Sequence, residues 1–223
     1  MIFWRKVMAV TWKDVLSEMR TKEIIFSVLV FTLLVIVIFN FAFSTSQDTL
    51  LLVAPGMLWV TFTFAGILSL NRSFVAEKEE GCLEGLMACP VSREAIYVGK
   101  MLGTLLFMLI VEATALLAFA IFFNLRVFSP ELILVTVLST IGFAAVGTLF
   151  SALAINTKAR DLILPILFLP IVIPVIIGAV RASGLALSGA SWSDAVPELR
   201  MVAAFDVVFL VVSFLVFTYV IEE

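Results

Sequence analysis

Six apolar stretches, at residues 24–43, 50–70, 101–123, 132–155, 162–180 and 201–221, occupy more than half of the chain. Each is about 20 residues long, which at a helical rise of about 1.5 Å per residue spans the roughly 30 Å hydrocarbon layer of a bilayer. With 63% hydrophobic and 14% charged residues and a mean hydropathy of +1.21, the chain has too little polar surface to coat a soluble globule. Backbone groups in lipid must be satisfied within their own segment, and the stretches are too long and continuous for barrel strands. The expected fold is therefore all-α, a polytopic membrane protein with six transmembrane helices.

The 14 basic residues set the expected orientation. Arg5, Lys6, Lys13, Arg20 and Lys22 precede the first span, Arg72, Lys78, Arg93 and Lys100 separate spans two and three, and Lys158 and Arg160 separate four and five. Only Arg126, Arg181 and Arg200 fall on the other side. The positive-inside rule then places both termini in the cytoplasm. The first apolar stretch is too long for a cleavable signal and lacks a small-residue cleavage site after it. Cys82 and Cys89 fall on the expected cytoplasmic side, where thiols stay reduced, and their spacing matches no zinc or haem-attachment motif.

Ahead of the first span, Trp4, Met8, Trp12, Val15 and Met19 recur at helical spacing, with Arg5, Lys6, Lys13, Asp14 and Glu18 on the opposite face. Residues 1–23 read as an amphipathic helix in the membrane interface, its tryptophans at headgroup depth. Pro55 and Gly56 predict a kink or unwound turn in span two, and Pro165, Pro170 and Pro174 predict an irregular span five, since each proline removes a backbone donor. Residues 181–200, rich in Gly and Ser, read as an outer loop with room for a short interfacial helix. Small residues Ala144, Gly147, Thr148, Ser151 and Ala152 pattern span four, and Gly99 and Gly103 form a GxxxG at the start of span three. Both patterns permit close helix contact.

Two acidic residues fall inside apolar stretches. Glu112 lies near the centre of span three, where a carboxyl must face protein or water. It reads either as the lining of a pathway or subunit contact, or as a protonated, hydrogen-bonded packing residue. Asp206 reads as lying one to two turns inside the outer end of span six, close enough to the interface for a packing role.

The chain has no histidine, which removes the commonest metal ligand, acid-base group and haem axial ligand. Gly99-Lys100 is followed by Met101 and preceded by Glu94 where a phosphate-binding loop needs its first glycine. Neither a nucleophile elbow nor HExxH occurs. No metal site, no tightly bound cofactor and no nucleic-acid partner is expected, and the chain reads as non-catalytic. Energy for work against a gradient would come from another subunit. The acidic segment between spans two and three, with Leu83, Leu86 and Met87 among Glu77, Glu79, Glu80 and Glu84, is the candidate docking element: a short amphipathic helix ending before Pro90.

That segment, from Phe74 to Arg93, resembles the E-x-x-x-G-x-L-E-x-L-x-x-x-P signature of type-2 ABC transporter permeases. The runs Ala54-Pro-Gly-Met-Leu-Trp-Val60, Leu68-Ser-Leu-Asn-Arg-Ser-Phe74 and Leu164-Pro-Ile-Leu-Phe-Leu-Pro-Ile-Val-Ile-Pro174 resemble the CcmB family of haem-exporter permeases in cytochrome c maturation. Arg20-Thr-Lys-Glu23 and Gly142-Phe-Ala-Ala-Val-Gly147 fit the same family, and the similarity extends from about Lys13 to Arg181. The resemblance implies a single permease domain over residues 1–223 in a bacterial-type plasma membrane. It also implies a second copy of the chain, a CcmA-like ATPase that alone binds ATP, a CcmC-like haem-handling protein and a CcmE-like haem chaperone. By that similarity Glu77, Glu80, Gly81, Leu83, Glu84 and Leu86, within a cytoplasmic loop at 71–95, meet the ATPase. Cys82 stands where the general pattern often has Thr. Haem is implied as a transient substrate, either passing through the permease or released on its chaperone by ATP-driven movement. Two other functions fit parts of the pattern: a type-2 permease exporting a lipid, drug or polysaccharide, and a scaffold or channel with Glu112 lining a pore.

Overall fold

A computed structural model describes residues 2–43, 47–79, 91–154 and 160–220. The described residues form seven helices: α1 (Ile2–Thr21), α2 (Glu23–Ala42), α3 (Gln47–Glu79), α4 (Arg93–Phe123), α5 (Pro130–Ala154), α6 (Arg160–Leu187) and α7 (Trp192–Val220). Helices α2 to α7 each contain a stretch long and apolar enough to cross a membrane, so the chain is a multi-pass helical membrane protein. They alternate in direction. One end of the bundle carries α1, the last turn of α3 and the first turn of α4; the opposite end carries the short connections at 124–129 and 188–191.

Helix α5 lies at the centre, packed on α3, α4, α6 and α7. Its small residues make this possible, because a missing side chain lets a neighbour approach the backbone. A Cβ at Gly147 would collide with Leu70 of α3, and one at Gly142 with Asp206 of α7. Ala144 and Ala152 are buried against Tyr97 of α4 and Phe217 of α7. On the α3 and α6 side Phe143 meets Phe168 edge-on at 4.6 Å and fills the space beside Gly66. Away from α5, the Trp59 Nε1–H donates to Ser183 Oγ at 2.9 Å, fastening α3 to α6 where both are buried.

The prolines do not interrupt their helices. Helix α3 runs through Pro55, and α6 through Pro165, Pro170 and Pro174, as continuous helix. The reason on α6 is placement: Leu164, Phe168, Val172, Val175, Ala179 and Ala182 form its buried face, while Pro170 and Pro174 point outward. Their rings and missing donors therefore disturb the side away from the core.

The 181–200 loop is shorter than the sequence suggests. Helix α6 continues to Leu187 and α7 begins at Trp192, leaving 188–191 as the connection. Gly189 supplies the positive φ of 72° that the turn needs. Asp194 Oδ2 accepts from the Ser191 backbone N–H at 3.2 Å and from its hydroxyl at 2.9 Å. An ion pair at 3.6 Å between Arg181 and Glu198 then joins the two helices. Gly and Ser signal a turn here, but the polar residues around it lie on helix surfaces.

Helix α3 is also longer than its apolar core: 33 residues, or about 50 Å, against about 30 Å of hydrocarbon.

Replacing Gly147 by Leu should overfill the α5–α3 contact, lowering thermal stability of the detergent-solubilised protein by about 1–3 kcal/mol or more. Pro174→Ala on the outward face should be neutral or stabilising in the same measurement.

Candidate functional site

The described flanks of the segment proposed to dock a partner, the end of α3 and the start of α4, fall at the end of the bundle that carries α1. Glu77 belongs to the last turn of α3, which continues to Glu79, rather than to a separate short helix. Glu80, Gly81, Leu83, Glu84 and Leu86 lie outside the described residues, as does the expected helix around them. The structure does describe the frame on either side: the end of α3 and the start of α4.

Three elements hold the start of α4. Backbone N–H groups of Ala95 and Ile96 donate to the Ser92 carbonyl. The Arg93 guanidinium donates to the Thr218 carbonyl at 3.5 Å, a cation placed at the C-terminal end of α7 where the helix dipole favours it. The Tyr97 hydroxyl donates to the Ala145 carbonyl of α5 at 3.1 Å, and its ring packs 5.1 Å from that of Phe217.

The third element is α1, and its register differs from a simple amphipathic reading. Val7, Val10 and Thr11 are buried, and Asp14 continues the same stripe at i, i+3, i+4 and i+7. This stripe lies on α4. The Thr11 hydroxyl lies 3.0 Å from the Gly99 carbonyl and 3.1 Å from that of Val7. A Cβ at Gly99 would sit 2.7 Å from Val10 Cβ, and one at Gly103 would sit 3.3 Å from Asp14 Cβ. The GxxxG of α4 thus receives α1, not another span. Trp4, Met8 and Trp12 face away from the bundle, as an interfacial helix requires, whereas Asp14 turns inward instead of facing water. The Lys100 ammonium, on a residue only 2% exposed, pairs with Asp14 Oδ2 at 3.6 Å. Lys13 approaches the other carboxylate oxygen at 3.1 Å. One turn further, burial and then the negative charge of Asp14 push the Glu18 carboxyl up to about 7. Sequence patterning misses this contact because an i+4 acidic pair normally marks a solvated face. Its one signal is a lysine just after the first glycine of the close-contact motif.

Glu112 is 2% exposed and faces α5. The Thr140 hydroxyl lies 2.9 and 2.8 Å from its two oxygens and 2.7 Å from the Thr136 carbonyl. One hydroxyl proton cannot serve three acceptors. The set closes when Thr140 donates to Thr136 and the Glu112 carboxyl, carrying its own proton, donates to Thr140. The adjoining crevice, walled by Phe62, Ala65, Gly66, Phe107, Met108 and Val111, has no room for a water molecule.

Asp206 is deeper than its sequence position suggests. Because α7 starts at Trp192, Asp206 lies about 21 Å along it. It is 4% exposed and rests on Gly142, and its carboxyl oxygens meet no hydrogen-bond donor among the described residues. Gly142 follows Thr140 by two positions, so the two acidic side chains reach α5 at nearly the same height, from directions about 200° apart.

The sequence profile described as "CcmB protein" matches residues 5–222, from the first turn of α1 through the end of α7. The chain belongs to the CcmB family. It is 33% identical over 168 residues to heme exporter protein B of Pseudomonas aeruginosa, covering 72% of this chain and 75% of that protein. Heme exporter protein B of Rhodobacter capsulatus is 32% identical over 152 residues, covering 67% and 69%. The Haemophilus influenzae protein of the same name is 30% identical over 180 residues, covering 78% and 80%. The CcmB match therefore takes in α1 and its contact with α4 as well as the six apolar helices.

Glu112→Gln keeps both length and a donor, and should leave the yield and melting temperature of the purified protein unchanged. Glu112→Asp withdraws the carboxyl from Thr140 and should cost about 1 kcal/mol. A destabilised Gln variant would show that the proton count is wrong.

Proposed function

We propose that this chain is the membrane permease subunit of an ABC transporter that serves cytochrome c maturation, with haem as the substrate handled by the complex. The observation that carries the reading is the CcmB match over residues 5–222, supported by relatives named heme exporter protein B. The chain is a non-catalytic subunit in this reading. A CcmA-like ATPase binds and hydrolyses ATP, a second copy of the chain completes the membrane unit, and CcmC-like and CcmE-like proteins handle haem. The complex resides in a bacterial-type plasma membrane, with both chain termini and the docking segment in the cytoplasm, as the distribution of basic residues favours.

Within that complex we favour a mechanical role. The ATPase pushes on Glu77, Glu80, Gly81, Leu83, Glu84 and Leu86, and the bundle passes the movement to the neighbouring haem-handling protein so that loaded chaperone is released. Two features support movement over conduction. Phe62, Met108, Phe143 and Phe168 fill the space around the centre of α5, and Glu112 is engaged by Thr140 instead of opening onto a wide channel. In this role Glu112 is a packing residue. Pro55, Pro165, Pro170 and Pro174 shape the helices that move. The absence of histidine fits haem as a passing substrate better than as a ligated cofactor.

Leu83→Asp combined with Leu86→Asp should reduce co-purification of the ATPase at least tenfold while leaving membrane insertion intact. Cytochrome c formed in cells should fall in parallel. Undiminished co-purification would overturn the docking assignment. If a strain lacking this chain makes cytochrome c normally, the pathway assignment fails and export of a lipid, drug or polysaccharide becomes the reading to test.

A further inference from the structure

Lys100 is a cation with almost no access to solvent, situated two turns from the start of α4. Removing a charge from water is costly unless an opposite charge accompanies it, and the acidic partner comes from another helix: Asp14 of α1 at 3.6 Å. The surroundings are built for close approach. Gly99 admits Val10, Gly103 admits Asp14, and Thr11 bridges to the Gly99 carbonyl from the same face of α1. Apolar contacts can rest an amphipathic helix on a neighbour without fixing where along it the helix sits. A buried ion pair adds a fixed register, the best-attested use of such pairs. It also gives a contact that separates as a unit.

We propose that Asp14 and Lys100 form a latch that makes α1 and the start of α4 one rigid body, so that displacement of the docking loop at 71–95 carries the interfacial helix with it. The two are positioning residues: neither touches ATP or haem. The proposal rests on the docking reading above for the source of the displacement, but the latch itself is independent of it. When the pair is made, α1 is held down on α4. When it is broken, the first half of α1 is free to lift, and movement at the docking segment is no longer transmitted to it.

The test uses the full chain co-expressed with its partner subunits, in a Cys82→Ser/Cys89→Ser background carrying Val7→Cys. Val7 is fully buried under α1, so the introduced thiol reports lifting by its reaction with a membrane-impermeant maleimide. With Asp14 and Lys100 intact, labelling should be slow. Lys100→Met or Asp14→Asn should raise it about tenfold and lower cytochrome c formation at least fivefold, while the ATPase still co-purifies and hydrolyses ATP. The exchange Asp14→Lys/Lys100→Asp should restore protection and much of the maturation. Should a single variant fail to accumulate, Asp14→Asn/Lys100→Met removes both charges without leaving one buried alone, and should show the same lifting and uncoupling. Slow labelling in these variants would overturn the latch, and rapid labelling with normal maturation would overturn its role in transmission. If the ATPase fails to co-purify even with the unmutated latch, the docking reading falls, and the labelling contrast still decides whether the latch exists.

Discussion

In a bilayer, apolar side chains gain nothing by leaving lipid for protein, so helices associate through close packing and a few polar contacts. The whole bundle depends on this at α5. Gly142 and Gly147 let α7 and α3 approach its backbone, and Ala144 and Ala152 do the same beneath Tyr97 and Phe217. The hydroxyl of Thr140 takes up Glu112 of α4 on the side of α5 that also carries Ala144 and Gly147. Because these contacts are spread along several turns of one helix, α5 determines how its neighbours sit. A bulky residue at any of these positions disturbs two helices at once.

The same physics explains what the sequence reveals and what it conceals. Apolar length gives the six spanning segments, because bilayer thickness fixes it from outside. Small residues mark close contacts but not partners: Gly99 and Gly103 predict a close helix contact without naming the helix, and they receive α1. Periodicity identifies α1 as amphipathic from Trp4, Met8 and Trp12, yet the residues that dock it, Val7, Val10, Thr11 and Asp14, form a second stripe on its more polar side. The depth of Asp206 is hidden because Pro197, Glu198 and Arg200 look like a loop, whereas they lie in the second and third turns of α7. Proline predicts a kinked or irregular span; α6 runs through Pro170 and Pro174 as continuous helix, with both on its outward face.

Two sets of polar residues in the bundle have different consequences. Thr11, Tyr97 and Arg93 reach backbone carbonyls on neighbouring helices, tying elements together near the α1 end without placing charge in the interior. Glu112 and Asp206 approach the centre of α5 from opposite sides. One closes a hydrogen-bonded set and the other lies against a glycine, so similar acidic groups at similar height have unlike surroundings. The α5–α7 contact over Gly142 is accordingly held by shape, and the α4–α5 contact at Thr140 by chemistry.

Helix α3 continues past its apolar span, Thr49–Leu70, to Glu79, an extension of about 14 Å, and α4 begins beside the same end. The pair therefore behaves as a stem. A protein gripping the tip of such a stem works at a distance from the headgroups, and a small tilt there becomes a sideways sweep of the helix ends. In the proposed complex, that leverage would let the ATPase act on a buried bundle without dehydrating the lipid surface between them.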